Sequence, residues 1–113
     1  MAKKNTKNTF KEYKLRVETK DVDALPIRLT LFPEQDGRQG AQLLIAGSLV
    51  LKGFWVVNGK NGPFVSAPSY KDRSGNWQDY FFPMDDTARE SLYTQIIKLS
   101  AFKDQYEEEE DED

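Results

Sequence analysis

The chain has 113 residues, which is enough for one small domain with one modest core. It contains no cysteine and no histidine, so disulfides, thiolate metal sites and the nucleophile systems built on Cys or His are excluded. The last seven residues, Glu107–Asp113, are all acidic, whereas the 106 residues before them carry all 16 Lys and Arg against 12 Asp and Glu. A positively charged body with a negatively charged tail favours a surface that binds polyanions and a tail that competes with them for this surface.

The same composition divides the chain into three regions. We expect a flexible basic arm at residues 1–9, a single nucleic-acid-binding domain at residues 10–104, and a disordered acidic tail at residues 105–113. No apolar stretch approaches the roughly 20 residues that span a bilayer, and no signal-peptide core follows the N-terminal lysines. We therefore expect a cytoplasmic protein that is not an enzyme and that holds no metal or cofactor.

Strand patterns fill the first half of the domain. Residues 10–19 place Tyr13, Leu15 and Val17 at period two between charged residues, which predicts a half-buried strand. Alternation resumes over residues 27–31, and we expect Pro26 to interrupt and Pro33 to end that run. Residues 42–57 are rich in Leu, Ile and Val, and glycines at 47 and 53 predict two or three short strands, with bulges or bends at the glycines.

Turn signals organise the next segment. Residues 58–62 contain two Asn-Gly steps, which predict a hairpin whose return strand covers residues 64–67. A polar loop over residues 71–76 leads to a predicted aromatic strand, Trp77 to Phe82, which Pro83 ends. We expect these strands to form an antiparallel sheet.

A helix is predicted from Asp86 onward. Thr87 and Glu90 fit a capping box, and the apolar residues that follow recur on one stripe. Asp85 and Asp86 are explained by helix capping rather than as magnesium ligands. The predicted fold class is α+β, a small twisted antiparallel β-sheet with one C-terminal helix, and an OB-like β-barrel plus helix remains an alternative.

Aromatic and basic residues are interleaved between positions 52 and 82. Because strand side chains alternate, Phe54 and Trp55 face opposite ways, and both faces cannot be core in a one-helix domain. Exposed rings beside cations suit single-stranded nucleic acid, since rings stack on bases and cations neutralise phosphates. The candidate nucleic-acid-binding residues in this cluster are Lys52, Trp55, Lys60, Tyr70, Lys71, Arg73, Trp77 and Tyr80.

Part of the chain resembles a known bacterial family. The ordered series Val56–Ser69, Lys71–Trp77, Asp79, Phe82-Pro83 and Thr87–Arg89 resembles the SpoVG family of stage V sporulation and septation regulators, over residues 42–100. The resemblance implies a small, dimeric α+β protein that binds DNA and RNA with loose sequence preference. It also implies that Lys71, Arg73 and the helix-entry residue Arg89 contact nucleic acid.

The acidic end resembles a different group, the C-terminal tails of bacterial and phage single-stranded DNA-binding proteins. That resemblance implies that Glu107–Asp113 competes with nucleic acid for the protein's own surface, or engages protein partners. This tail ends in Asp113 without a terminal aromatic residue, so recruitment through an aromatic tip is weakly supported.

Three functions remain open at this point. The leading expectation is a sequence-tolerant homodimer that binds single-stranded DNA, or RNA, in a role such as phage replication or recombination. The second is a SpoVG-like regulator that binds DNA or RNA. The third is a non-enzymatic protein-interaction module, or an inhibitor, whose acidic tail mimics DNA.

Overall fold

The computed structural model describes residues 10–20 and 24–106, so the predicted basic arm and Glu107–Asp113 lie outside the described residues. Five strands form one antiparallel sheet whose spatial order equals the chain order. They are β1 (Lys11–Val17), β2 (Leu25–Gln35), β3 (Arg38–Ile45), β4 (Leu49–Gly59) and β5 (Gly62–Ser66). A separate hairpin follows, made of β6 (Ser69–Lys71) and β7 (Trp77–Asp79), then helix α1 (Asp86–Leu99) and a short 3-10 helix (Lys103–Gln105).

The core forms on one face of the sheet because the apolar residues of each strand alternate in the same phase. In the register, Leu29 lies opposite Leu43, and Ala41 lies opposite Phe54. All four of these side chains are buried. Helix α1 covers this face and contributes Leu92, Ile96 and Ile97 to the core. The predicted α+β class with one C-terminal helix is confirmed.

The single helix contacts both edge strands, β1 and β5, which requires the sheet to curl around it. Two hydrogen bonds fix the β1 side: Gln95 Nε2 donates to the Arg16 carbonyl at 3.0 Å, and the Glu18 amide donates to Ser91 Oγ at 2.9 Å. The edge strands β1 and β5 are not paired with each other. The sheet is therefore open, and the alternative of a closed barrel does not hold.

Strand β2 runs through both of its prolines, so the prediction that Pro26 and Pro33 bound this strand was wrong. Pro26 pairs opposite Arg16, and its carbonyl accepts a hydrogen bond from the Ala46 amide at 2.9 Å. Pro33 lies where the register with β3 shifts, between Leu31 and Glu34. A proline at such a bulge removes no ladder hydrogen bond, so the strand continues past it.

The two glycines of the β3–β4 region have different roles. Gly47 follows Ala46 in a tight turn with both residues at positive φ, 69° and 52°, and this turn separates β3 from β4 as predicted. Gly53, at φ 94°, lies inside β4 where the pairing with β3 shifts. It marks a bulge within one long strand and not a strand end.

The aromatic strand is shorter than predicted, since β7 ends at Asp79 and not at Phe82. Its partner β6 has only three residues. Directly after β7, the amide of Tyr80 donates a hydrogen bond to the Pro68 carbonyl at 2.8 Å. Phe81 then turns towards the core and meets Phe54 edge-on, with ring centroids 5.1 Å apart.

Helix α1 is capped by Asp85, which confirms the capping interpretation of this residue, whereas the capping box predicted at Thr87 is wrong. The Asp85 backbone is extended, at φ −138° and ψ 167°, and its Oδ1 accepts from the Ala88 amide at 2.8 Å. An N-cap residue needs this non-helical backbone, whereas Thr87 is already within the helix.

Candidate nucleic-acid interface

The β6–β7 hairpin carries five of the nine predicted site residues on one short element: Tyr70, Lys71, Arg73, Trp77 and Tyr80. Its loop is closed by Asp72, whose Oδ1 accepts from the amides of Ser74 and Asn76, both at 2.9 Å, and whose Oδ2 accepts from Gln78 at 3.0 Å. The backbone hydrogen bond from Asn76, followed by the Gln78 side chain, lowers the Asp72 pKa below its ordinary 3.8. The acidic group of this loop is thus engaged within the turn.

The hairpin side chains form two aromatic contacts at the surface. The rings of Tyr70 and Tyr80 lie 4.8 Å apart between centroids, and Lys71 Nζ lies 5.5 Å from the centre of the Trp77 ring. Trp77 and Tyr80 are 66% and 70% exposed. Broad ring surface is therefore open to solvent beside a cation.

Contacts at its base hold the hairpin on the domain. Pro68 packs against the β4 bulge so closely that a Cβ on Gly53 would lie 3.2 Å from the Pro68 Cβ. On the helix side, burial and then the charge of Asp79 raise the pKa of Tyr93 above its ordinary 10.0. Arg89 acts on the pKa of the same tyrosine in the opposite direction.

Two further predicted residues, Lys52 and Trp55, flank the bulge on which Pro68 packs. Lys52 is exposed next to Gly53. Trp55 lies opposite Gly40 on the face of the sheet that points away from α1, and it is 39% exposed. The guanidinium of Arg38 lies 4.4 Å from the centre of the Trp55 ring.

The last two predicted residues are placed differently. Arg89 pairs with Asp86 at 3.1 Å in the first turn of α1. Lys60 lies in the β4–β5 turn, seven residues and roughly 20 Å along the chain from Gly53. It lines a depression with Gln105 and Tyr106, the predicted first residues of the acidic tail, and Tyr106 is half-buried there. The hairpin and the β4 bulge thus lie next to each other, whereas Lys60 lies at the other end of β4.

Sequence reasoning missed four cations that the sheet register places on the face away from α1. They are Lys14, Arg16, Arg28 and Arg38, and all are exposed. Lys14, Arg16 and Arg28 interleave with buried apolar residues of their own strands, which is the signal that could have identified them, whereas Arg38 is followed by the buried polar Gln39. That they share one face follows only from the pairing, such as Lys14 opposite Arg28.

Across residues 10–20 and 24–106, no group of three or more acidic side chains is arranged to hold a metal ion. Over the same residues, α1 is too short and too polar to cross a membrane.

Comparison with known proteins gives one consistent result. The family model named SpoVG matches residues 23–103, which extends the resemblance from residues 42–100 back through β2 and β3. A protein of Archaeoglobus fulgidus, named a septation protein SpoVG, is 34% identical over 58 residues, covering 51% of this chain and 68% of that protein. A protein of the same name in Brevibacillus brevis is 31% identical over 64 residues, covering 55% and 67%. The chain therefore belongs to the SpoVG family.

Proposed function

We propose that this protein is a nucleic-acid-binding regulator of the SpoVG kind and that the β6–β7 hairpin is its principal contact surface. The relatives that carry the name of septation proteins support the regulatory role. One observation carries the binding proposal: the hairpin exposes Trp77 and Tyr80 beside Lys71 and Arg73, while Asp72 is engaged within the turn.

The chemistry of the hairpin fits a polyanion with accessible rings. Exposed aromatic side chains stack on bases at about 1 to 3 kcal/mol per base, and this stacking tolerates any base. Lys71 and Arg73 would neutralise phosphates and release counterions. Because duplex bases are already stacked on one another, the exposed Trp77 favours unpaired bases over duplex.

The cellular location, the oligomeric state and the role of the acidic segment are part of the same proposal. The protein acts without enzymatic chemistry, in the cytoplasm, as a homodimer. Its acidic segment Glu107–Asp113 competes with nucleic acid for the basic surface, since a charge of −7 follows a body of +4.

Variants of the hairpin test the proposal by fluorescence anisotropy with a labelled oligo-dT of about 30 nucleotides. Trp77→Ala should weaken binding roughly 5- to 150-fold, the equivalent of one lost stack. Lys71→Ala together with Arg73→Ala should reduce the slope of log K against log salt by about 1.4, because each phosphate contact contributes about 0.7 on single strands.

Lys103→Ala is the matched control for Lys71→Ala, since it also removes one exposed positive charge but lies beyond α1. If both lysine variants weaken binding equally and Trp77→Ala binds like wild type, the hairpin is not the contact surface.

A protein partner is the second candidate for the same surface. Phe82 and Met84 follow the hairpin in the chain and are also exposed, Met84 by 85%, so exposed apolar side chains recur from Trp77 to Met84. If neither single strand nor duplex binds, this exposed apolar area becomes the expected site of a protein interface.

A further inference from the structure

The open face of the five-stranded sheet, the face that points away from α1, carries both rings and cations. The register places Arg38 and Trp55 towards one end of it, where Phe32 lies beside Gly40, and it places Lys14, Arg16 and Arg28 towards the other end. All six side chains are exposed. Within the described residues α1 covers only the opposite face.

The aromatic end contains a slot centred on Gly40. A Cβ at Gly40 would lie 3.5 Å from Phe32 Cδ2 and 3.6 Å from Trp55 Cζ3, so both rings lie beside this bare stretch of backbone. Gly40 does not have a positive φ, so the backbone conformation does not require glycine here. The depression that Phe32, Gly40 and Trp55 line together with Pro33, Gln35 and Gly53 measures about 420 Å³, within the range of small-ligand sites.

The rings of the slot are braced by their surroundings. Gln39 is buried; its Nε2 donates to the Phe32 carbonyl and its Oε1 accepts from the Ala101 amide, both at 2.8 Å. Phe10 packs edge-on against the Phe32 ring, with centroids 6.0 Å apart, and Arg38 packs on Trp55. Ordered rings lose little conformational entropy when a planar group enters between them.

The basic end holds a second depression, of about 360 Å³, lined by Lys14, Arg16 and Arg28. Lys14 lies directly opposite Arg28 across the strands, an arrangement of like charges that is unfavourable until an anion neutralises it. Among the described residues, the register also places the acidic side chain of Glu12 on this face, where it is outnumbered by the cations at 14, 16, 28 and 38. Arg28 and Phe32 are four residues apart on β2, roughly 13 Å.

We propose that the open face is a second contact surface for single-stranded nucleic acid. An unpaired base enters the slot between Phe32 and Trp55, and the phosphates on one side of it lie along Arg28, Lys14 and Arg16. A second copy of this chain is a poorer occupant, because two open faces packed together would set the same cations against one another. This inference rests on the proposed function and specifies unpaired bases as its ligand.

Filling the slot tests the inference without removing a ring or a charge. Gly40→Val places apolar atoms between the two rings, and Gln42→Val is its control, because residue 42 lies on the same face two positions along β3. The probes are a labelled oligo-dT of about 30 nucleotides and an abasic oligonucleotide of equal length, which keeps the phosphates and lacks the bases.

Gly40→Val should weaken binding of oligo-dT at least fivefold and leave binding of the abasic probe unchanged, and Gln42→Val should alter neither. Trp55→Leu should behave like Gly40→Val, and it serves as the readout if the valine variant does not fold. Arg28→Gln should weaken both probes equally, since it removes a phosphate contact.

The outcomes separate this inference from the proposed function. If the wild-type protein binds neither probe, both are overturned. If Trp77→Ala weakens oligo-dT binding while Gly40→Val and Trp55→Leu do not, only the open-face inference is overturned. If Gly40→Val instead dissociates a wild-type dimer in sedimentation and leaves oligo-dT binding intact, the open face is an interface between copies and the inference is again overturned.

Discussion

Asp72 links the order of the hairpin to pH. Its hydrogen bonds to Ser74, Asn76 and Gln78 lower its pKa in the folded protein below the ordinary 3.8. A carboxyl group with a depressed folded pKa contributes stability that is present above the unfolded pKa and is lost as pH falls through the folded pKa. We therefore expect the amide resonances of Ser74 and Asn76 to shift together in an NMR titration, with the midpoint of the shared transition below pH 3.8.

Asp72→Asn is the control for this titration. The amide oxygen still accepts from the two backbone groups, but the side chain no longer titrates. The resonances of Ser74 and Asn76 should therefore lose their shared transition. An unchanged transition in this variant would assign the pH response to another group.

At the scale of elements, the β4 bulge fixes the hairpin through Gly53. Gly53→Ala forces a side chain onto a residue at φ 94° and against Pro68, and we expect it to lower the free energy of unfolding by about 1 to 3 kcal/mol in urea titrations. The same variant should shift the hairpin resonances, including those of Trp77.

Gly47→Ala separates the two causes. Gly47 also has a positive φ, 69°, but a Cβ there would meet nothing within 4 Å. This variant should cost stability through backbone strain alone and leave the hairpin resonances in place. Equal shifts of the Trp77 resonances in both variants would show that the position of Pro68 does not depend on the β4 bulge.

The N-terminus of α1 gives a second test at this scale. Asp85→Ala removes the acceptor for the Ala88 amide and should lower the free energy of unfolding by about 1 kcal/mol. Thr87→Ala should change it by less than about 0.5 kcal/mol, because Thr87 is exposed within the first turn. Urea unfolding of both variants measures the difference, and the reverse order would restore Thr87 as the cap.

Local patterns predicted most of the elements because each depends on neighbours in sequence. The alternation of Tyr13, Leu15 and Val17 and the Asn-Gly steps at 58–62 specify β1 and the β4–β5 hairpin in this way. The continuation of β2 through Pro33 depends on a bulge against β3, which adjacent residues do not encode. The capping role of Asp85 was predicted, but Thr87 and Glu90 fit a second local motif for a cap, and the sequence alone does not show which of the two residues has the extended backbone of a cap.

The candidate site divides in the same manner. The hairpin residues Tyr70 to Tyr80 were predicted because rings and cations lie close together in sequence. The open face was missed because Phe32, Arg38 and Trp55 meet only through the pairing of three strands. Registers of long meanders are set by the whole buried face, so a surface assembled across strands is poorly visible in a linear pattern.

At the scale of the whole molecule, β4 connects the two proposed contact surfaces. Gly53 holds the hairpin through Pro68, and Trp55, two residues later, faces the open side of the sheet. Helix α1 covers the other face, so the ligand surfaces do not compete with the core for the same side chains. Because β4 links the two surfaces, one molecule of single-stranded nucleic acid would be able to contact the slot and the hairpin together.

The measurement that tests the central claim most directly is an anisotropy titration of the full chain with labelled oligo-dT of about 30 nucleotides over a series of salt concentrations, with matched duplex as competitor. If about five phosphates are neutralised, log K should fall with log salt at a slope near −3.5, and duplex should fail to displace the single strand. Displacement by duplex would favour a duplex-binding regulator over the single-strand preference proposed here. A slope near zero, or no binding to either nucleic acid, would contradict nucleic-acid binding itself.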